Sequence, residues 1–147
     1  MAFGSCGLGN VYLSGIPVYK CTSCGDTVAR IPMMGELLKT IGEVVVNKPA
    51  LLSGSEIRFM RKNEKMLAKT FVKYLGVDPS TYSRWENGKA RAGRTSDRLI
   101  RLCYATLMEY EDQGRILAEC LNLRDETSKK RIDVTRSPRK GYHAVYA

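Results

Sequence analysis

Ser80, Thr81, Ser83, Arg84 and Asn87 fall within eight consecutive positions. They bring hydroxyls, a guanidinium and a carboxamide to one short segment, and such groups hydrogen-bond base edges and phosphates. Ser80 and Arg84 are four apart, with Thr81 and Ser83 beside them, and these four are the base-reading candidates. Arg84 offers the paired donors that match guanine. Basic side chains suited to the phosphate backbone flank the segment: Lys69 and Lys73 before it, Lys89, Arg91 and Arg94 after it, with Asn87 at its end. A helical hairpin with an aromatic core and a solvated polar face is the plainer alternative.

The cysteines offer a second chemistry. Cys21-Thr-Ser-Cys24-Gly25 has the form of a zinc knuckle, two thiolates two residues apart and a glycine that lets backbone amides face sulfur. Cys6 is placed as the second cysteine of a preceding pair, but Phe3 stands where its mate belongs. Cys6, Cys21 and Cys24 are therefore candidate zinc ligands, one short of a closed site. The alternative is a knuckle kept as fold without metal. Cys103 and Cys120 lie in apolar stripes and are expected to be small core residues. The single histidine, His143, has no acid, base or nucleophile constellation around it, and Cys21-x-x-Cys24 lacks a thioredoxin-like strand and helix context. The chain is not expected to be an enzyme.

These groups need elements to hold them. Phe71, Val72 and Leu75 make one helical face that Gly76 ends. Asp78-Pro79 supplies an N-cap acceptor and a first helical residue for the next helix, whose inward side is Tyr82 and Trp85 and whose end is Gly88. Ser53-Gly-Ser-Glu56 is a capping box opening a helix through Asn63, with Ile57 and Met60 inward. Leu37, Leu38, Ile41, Val44 and Val45 form a stripe stopped by Asn47-Lys-Pro49; it serves as core or as a docking face, and Val44 to Val46 also suit a strand. Thr95-Ser-Asp97 caps a long helix with Leu99, Leu102, Cys103, Thr106, Leu107 and Tyr110 on one stripe, and Ile116, Leu117, Cys120 and Leu121 form a further set. Two such stripes exceed what one small core needs, which suggests a homodimer. Arg131 to Thr135 and Tyr142 to Tyr146 alternate well enough to pair across a Pro-Arg-Lys-Gly turn.

The formal net charge is +9, and the excess is +1 over residues 1–52, +5 over 53–111 and +3 over 112–147. The positive charge thus sits on and after the polar segment, which fits an acidic partner. No apolar run is long enough for a membrane span, and no charged then apolar leader opens the chain. With an odd number of cysteines, five, this points to the cytoplasm and to metal binding or buried thiols instead of a disulfide framework.

Two resemblances follow. Ser83-Arg-Trp-Glu-Asn-Gly-Lys89 after the Leu75-Gly-Val77 turn resembles the recognition helix of phage-repressor-type (Xre) helix-turn-helix proteins, over about Ser53 to Tyr110. It implies a five-helix DNA-binding domain with its second motif helix in the major groove. It also implies a structural ion pair between Arg61 and Glu86, and Val72 departs from the family's usual Ala, which implies looser packing there. The Cys-x-x-Cys-Gly knuckle, Ala29-Arg-Ile-Pro32 and the Leu52-Ser-Gly-x-Glu-Ile-Arg58 helix resemble the MqsA-type (YgiT-type zinc-finger) antitoxins. That family implies a zinc module that binds an mRNA-cleaving toxin and a helix-turn-helix dimer that represses the operon.

The expected organisation is mainly α. A β-rich zinc-knuckle-like module spans 1–31, a connecting helix 32–52, a helix-turn-helix DNA-binding and dimerisation domain 53–123, and a basic tail or hairpin 124–147. The expected function is a homodimeric, operator-binding repressor of double-stranded DNA that is the antitoxin of a type II toxin-antitoxin pair. A phage or mobile-element repressor without a toxin, and an RNA-binding zinc-ribbon protein, are the alternatives.

Overall fold

The computed structural model describes residues 1–119, 123 and 130–146, so the Cys120 and Leu121 part of the second apolar set lies outside the described residues. Among these residues there are six helices and five strands: β1 (Val11–Ser14), β2 (Val18–Lys20), β3 (Thr27–Ala29), α1 (Met34–Val46), α2 (Gly54–Asn63), α3 (Ala68–Leu75), α4 (Pro79–Glu86), α5 (Arg94–Leu107), α6 (Gln113–Glu119), β4 (Ile132–Ser137) and β5 (Gly141–Tyr146). Four helices lie between Ser53 and Tyr110, and α6 is the fifth, after that span.

The ends of the chain, which the sequence divides into a separate module and a tail, meet in one mixed sheet of order β1-β4-β5. β1 runs parallel to β4, Val11 beside Ile132 and Ser14 beside Thr135, and β4 pairs antiparallel with β5 from Ile132–Tyr146 to Ser137–Gly141. Residues 1–3 cover the outer edge of β1, where Phe3 N–H donates to Val11 O at 2.8 Å and Leu13 N–H to Met1 O at 2.7 Å. The inward residues of the sheet alternate as a half-buried strand requires, so Val11, Leu13, Ile132, Val134 and Tyr142 are buried, with α1 packed on β4 and β5.

Leu37, Ile41, Val45 and Val46 are buried, and α1 packs on the sheet, on α2 and on α5. The β-branched end remains helical, since its side chains complete the buried stripe. One apolar cluster runs from Phe3 and Leu8 through α1 to Phe71, Tyr82 and Trp85, so the sheet and the helices share a core. The β2–β3 hairpin stands outside it, with all residues of β2 exposed.

On α5 the structure reverses the expected face. The buried residues are Asp97, Ile100, Arg101, Tyr104 and Ala105, whereas Leu99 and Thr106 are exposed and Leu102, Cys103 and Leu107 only half-buried. The reason is Arg101. Its Nε donates to Asp97 Oδ1 at 2.6 Å, and its guanidinium caps the carbonyls of Val46 (3.0 Å), Lys48 (2.6 Å) and Ala50 (2.5 Å). Asp97 Oδ2 takes the Leu52 N–H at 2.6 Å. A charge is turned inward because the loop between α1 and α2 leaves backbone groups that need partners. Asp97 therefore braces that loop, and Gly93 holds the N-cap position of α5.

Candidate nucleic-acid interface

α3 and α4 are joined by the short Gly76–Asp78 turn, with Gly76 left-handed (φ 64°), the conformation glycine adopts most readily. Phe71 packs edge-on to Tyr82 (centroids 5.8 Å apart), and Tyr82 to Trp85 (6.2 Å). Phe71, Val72 and Leu75 are buried as the spacing predicts, as are Tyr82 and Trp85. Asp78 occupies the N-cap of α4, but its carboxylate accepts the Ser80 hydroxyl and no backbone N–H. The expected cap is thus replaced by a local side-chain bond, available because Ser80 is two residues on.

Behind α4, α2 is held very close. Arg61 Nε and Nη2 donate to Glu86 Oε1 (2.6 Å) and Oε2 (3.2 Å), and the Tyr82 hydroxyl donates to Glu86 Oε1 at 2.6 Å. Burial alone would raise the pKa of Glu86; the bonds from Arg61 and Tyr82 and the Arg61 charge outweigh it and hold the carboxyl below the ordinary Glu value. The bond to Glu86 raises Arg61, and burial with the Glu86 contact raises Tyr82. Where α2 starts, a Cβ on Gly54 would lie 2.3 Å from the Trp85 carbonyl oxygen, so the glycine is what lets the two helices meet.

The opposite side of α4 faces outward. Ser80, Ser83, Arg84 and Asn87 are exposed and Thr81 is half-buried. The Arg84 side chain donates no hydrogen bond to, and forms no ion pair with, the described residues. Lys69, Lys73, Lys89 and Arg91 are exposed, and the N–H groups of Lys89 and Ala90 fold back on Arg84 O. Arg94 departs from the expected phosphate set: its Nη1 donates to Leu123 O at 3.1 Å, tying it to the chain beyond α6. Asn87 is committed too. Its Oδ1 accepts from Arg58 Nη2 (2.7 Å) and its Nδ2 donates to Ser83 Oγ (3.2 Å). Arg58, which sequence reasoning missed, therefore sets the orientation of two site residues; its place three before Arg61 on α2 was the available signal.

The three candidate zinc ligands are not brought together. Cys6 lies in a one-turn 3-10 helix, Gly4–Cys6, between the edge segment and β1, and its thiol donates to Phe3 O at 3.2 Å. Burial raises its pKa. Cys21 and Cys24 sit at the far end of the β2–β3 hairpin, where the backbone N–H groups of Cys24 and Ser23 face the Cys21 sulfur and lower its pKa. Among the described residues no group of three or more His, Cys, Asp or Glu side chains is placed to hold a metal ion. The donor set of one chain therefore does not fit a closed zinc site, because folding of residues 1–14 into the sheet carries Cys6 away.

No protein-family model matches the chain, and neither a curated protein nor a solved structure matches it. None of the helices among the described residues is long and apolar enough to cross a membrane.

Proposed function

We propose that the chain is a sequence-specific repressor of double-stranded DNA, with α3 and α4 as its helix-turn-helix and α4 as the helix that enters the major groove. The observation that carries this reading is the two-sidedness of α4: Tyr82, Trp85 and Glu86 are locked against α2 and α3, while Ser80, Ser83 and Arg84 are exposed, as are Lys69 and Lys73 on α3 and Lys89 and Arg91 just after α4. A rigid helix bearing an unpartnered guanidinium, with exposed basic residues on the helix before it and the loop after it, suits base reading framed by phosphate contacts. A homodimer would supply two half-sites. Half-buried Leu102, Cys103 and Leu107 line a cavity of about 230 Å³ with exposed Tyr74, and together with exposed Leu99 they support such a contact.

The resemblance to MqsA-type antitoxins extends the proposal to an autoregulator paired with an RNase toxin. Titration of the chain on the DNA upstream of its own gene, against scrambled DNA and single-stranded RNA at matched salt, tests the reading. Tight binding to the upstream duplex is expected. Equal affinity for scrambled DNA overturns sequence reading, and preference for RNA transfers the site to the alternative partner. Repeating the titration with the neighbouring gene's product separates a toxin-responsive repressor from a simple one.

A further inference from the structure

The β2–β3 hairpin is the part of the molecule that the proposed DNA contact leaves unused. It has the register Val18–Ala29, Tyr19–Val28 and Lys20–Thr27, and Val18, Tyr19 and Val28 are 59 %, 55 % and 60 % exposed. A two-stranded ribbon with three large apolar side chains in water is marginal by itself and needs a staple. At its end, Cys21 N–H donates to Asp26 O at 2.7 Å and Gly25 N–H to Cys21 O at 3.0 Å, with Gly25 left-handed at φ 74°. This tight loop sets the thiols of Cys21 and Cys24 on one outward tip with backbone N–H groups facing sulfur. It presents two thiols together, and Cys6 is folded away from it.

We propose that the tip binds a zinc ion together with the tip of a second copy of this chain, the four thiolates of the two Cys21 and two Cys24 residues forming one tetrahedral site. Coordination number argues for it: structural zinc takes four such ligands and each chain presents two together. Joining two tips also sets the faces that carry Tyr19 and Val28, paired across each ribbon, close enough to meet. Each thiol releases its proton on binding, so four protons leave per ion. The inference is independent of DNA binding, because the tip and α4 share no residue.

The test is titration of the reduced, full-length chain with Co²⁺ and then Zn²⁺, with native mass spectrometry of the product. One metal per two chains is expected, with the intense Co²⁺ absorption of a tetrahedral four-thiolate site. Cys21→Ser or Cys24→Ser should abolish it, whereas Cys6→Ser and Cys103→Ser retain it. Stoichiometry separates a shared site from one within a chain, even where the chains already associate elsewhere: one metal per chain, or failure to bind, overturns the proposal. Retained specific DNA binding by the cysteine variants would confirm that the two readings stand or fall apart.

Discussion

Glu86 is the residue on which the candidate interface turns, because it receives Arg61, Tyr82 and the longer-range charge of Arg58 at 3.8 Å while α4 carries Arg84 on its other side. Its side chain is 9 % exposed and that of Arg61 15 %, so removing either partner strands a charge that water barely reaches. Arg61→Ala is expected to cost about 3 kcal/mol, the lower end for breaking a buried pair, as read from the urea midpoint. The pH dependence has a definite sign. A carboxyl whose folded pKa lies below its unfolded value contributes stability fully above the unfolded value and loses it as pH falls through the folded one. Wild-type stability should therefore drop below the ordinary Glu range, and Glu86→Gln, already lacking the contribution, should drop less over the same interval; parallel curves would contradict this. On the exposed side, Arg84→Ala should weaken specific binding by about 1–3 kcal/mol and leave binding to scrambled DNA nearly unchanged. Lys73→Ala should weaken both and reduce the salt slope by about 0.9. Equal loss on both DNAs would remove Arg84 from base reading. The polar positions of α4 were legible in the sequence because a helix with two aromatics inward leaves them little choice. The ties of Asn87 to Arg58 and of Ser80 to Asp78 were not, since such bonds depend on rotamers and on the approach of α2.

Among the elements, α3 and α4 follow their residues closely: apolar spacing, Gly76, Pro79 and the Tyr82–Trp85 pair all specify the same arrangement. α5 shows where that logic fails. Its apolar periodicity points one way and its packing another, because Arg101 and Asp97 leave the solvent side to satisfy the α1–α2 loop. An i, i+4 pair of opposite charges reads as a surface feature, and nothing in the spacing announces that three carbonyls await the guanidinium. Arg101→Met keeps much of the volume but orphans those carbonyls and the Asp97 charge, so a loss of about 3–5 kcal/mol is expected. Adding Asp97→Asn should recover only part of it, since the carbonyls of Val46, Lys48 and Ala50 stay unpaired. Urea denaturation of the two variants decides the matter. A single-variant loss under about 1 kcal/mol would mean that water replaces Arg101 without difficulty. The inversion also leaves Leu99, Leu102, Cys103 and Leu107 facing outward, which suits the proposed dimer.

At the scale of the whole molecule, the pairing of β1 with β4 joins segments more than a hundred residues apart, so the two ends form one structure with α1 between sheet and helices. The alternation of residues 131–135 and 142–146 predicts the β4–β5 hairpin, but a parallel partner so distant leaves no local signal, and the sequence alone places β1 in a separate module. The composition after Asp125 also misleads: its basic residues suggest a surface tail, yet the two strands joined by the turn at Pro138–Lys140 bury Ile132, Val134 and Tyr142 in the shared core. Deleting residues 130–147 should therefore unfold far more than a tail. Each of those side chains contributes about 1.5–3 kcal/mol by burial, and their loss would also uncover Val11, Leu13 and the sheet side of α1. The sum is comparable with the entire stability of a domain this size. The truncated chain is expected to lose its cooperative thermal transition, to become sensitive to proteases within α1, and to lose DNA binding although every proposed DNA contact is retained. An independent basic tail predicts the opposite, an unchanged transition with weaker and less salt-dependent binding. Measuring melting and binding on the same truncated sample separates the two, because only a shared core couples the loss of β4 to the behaviour of α4.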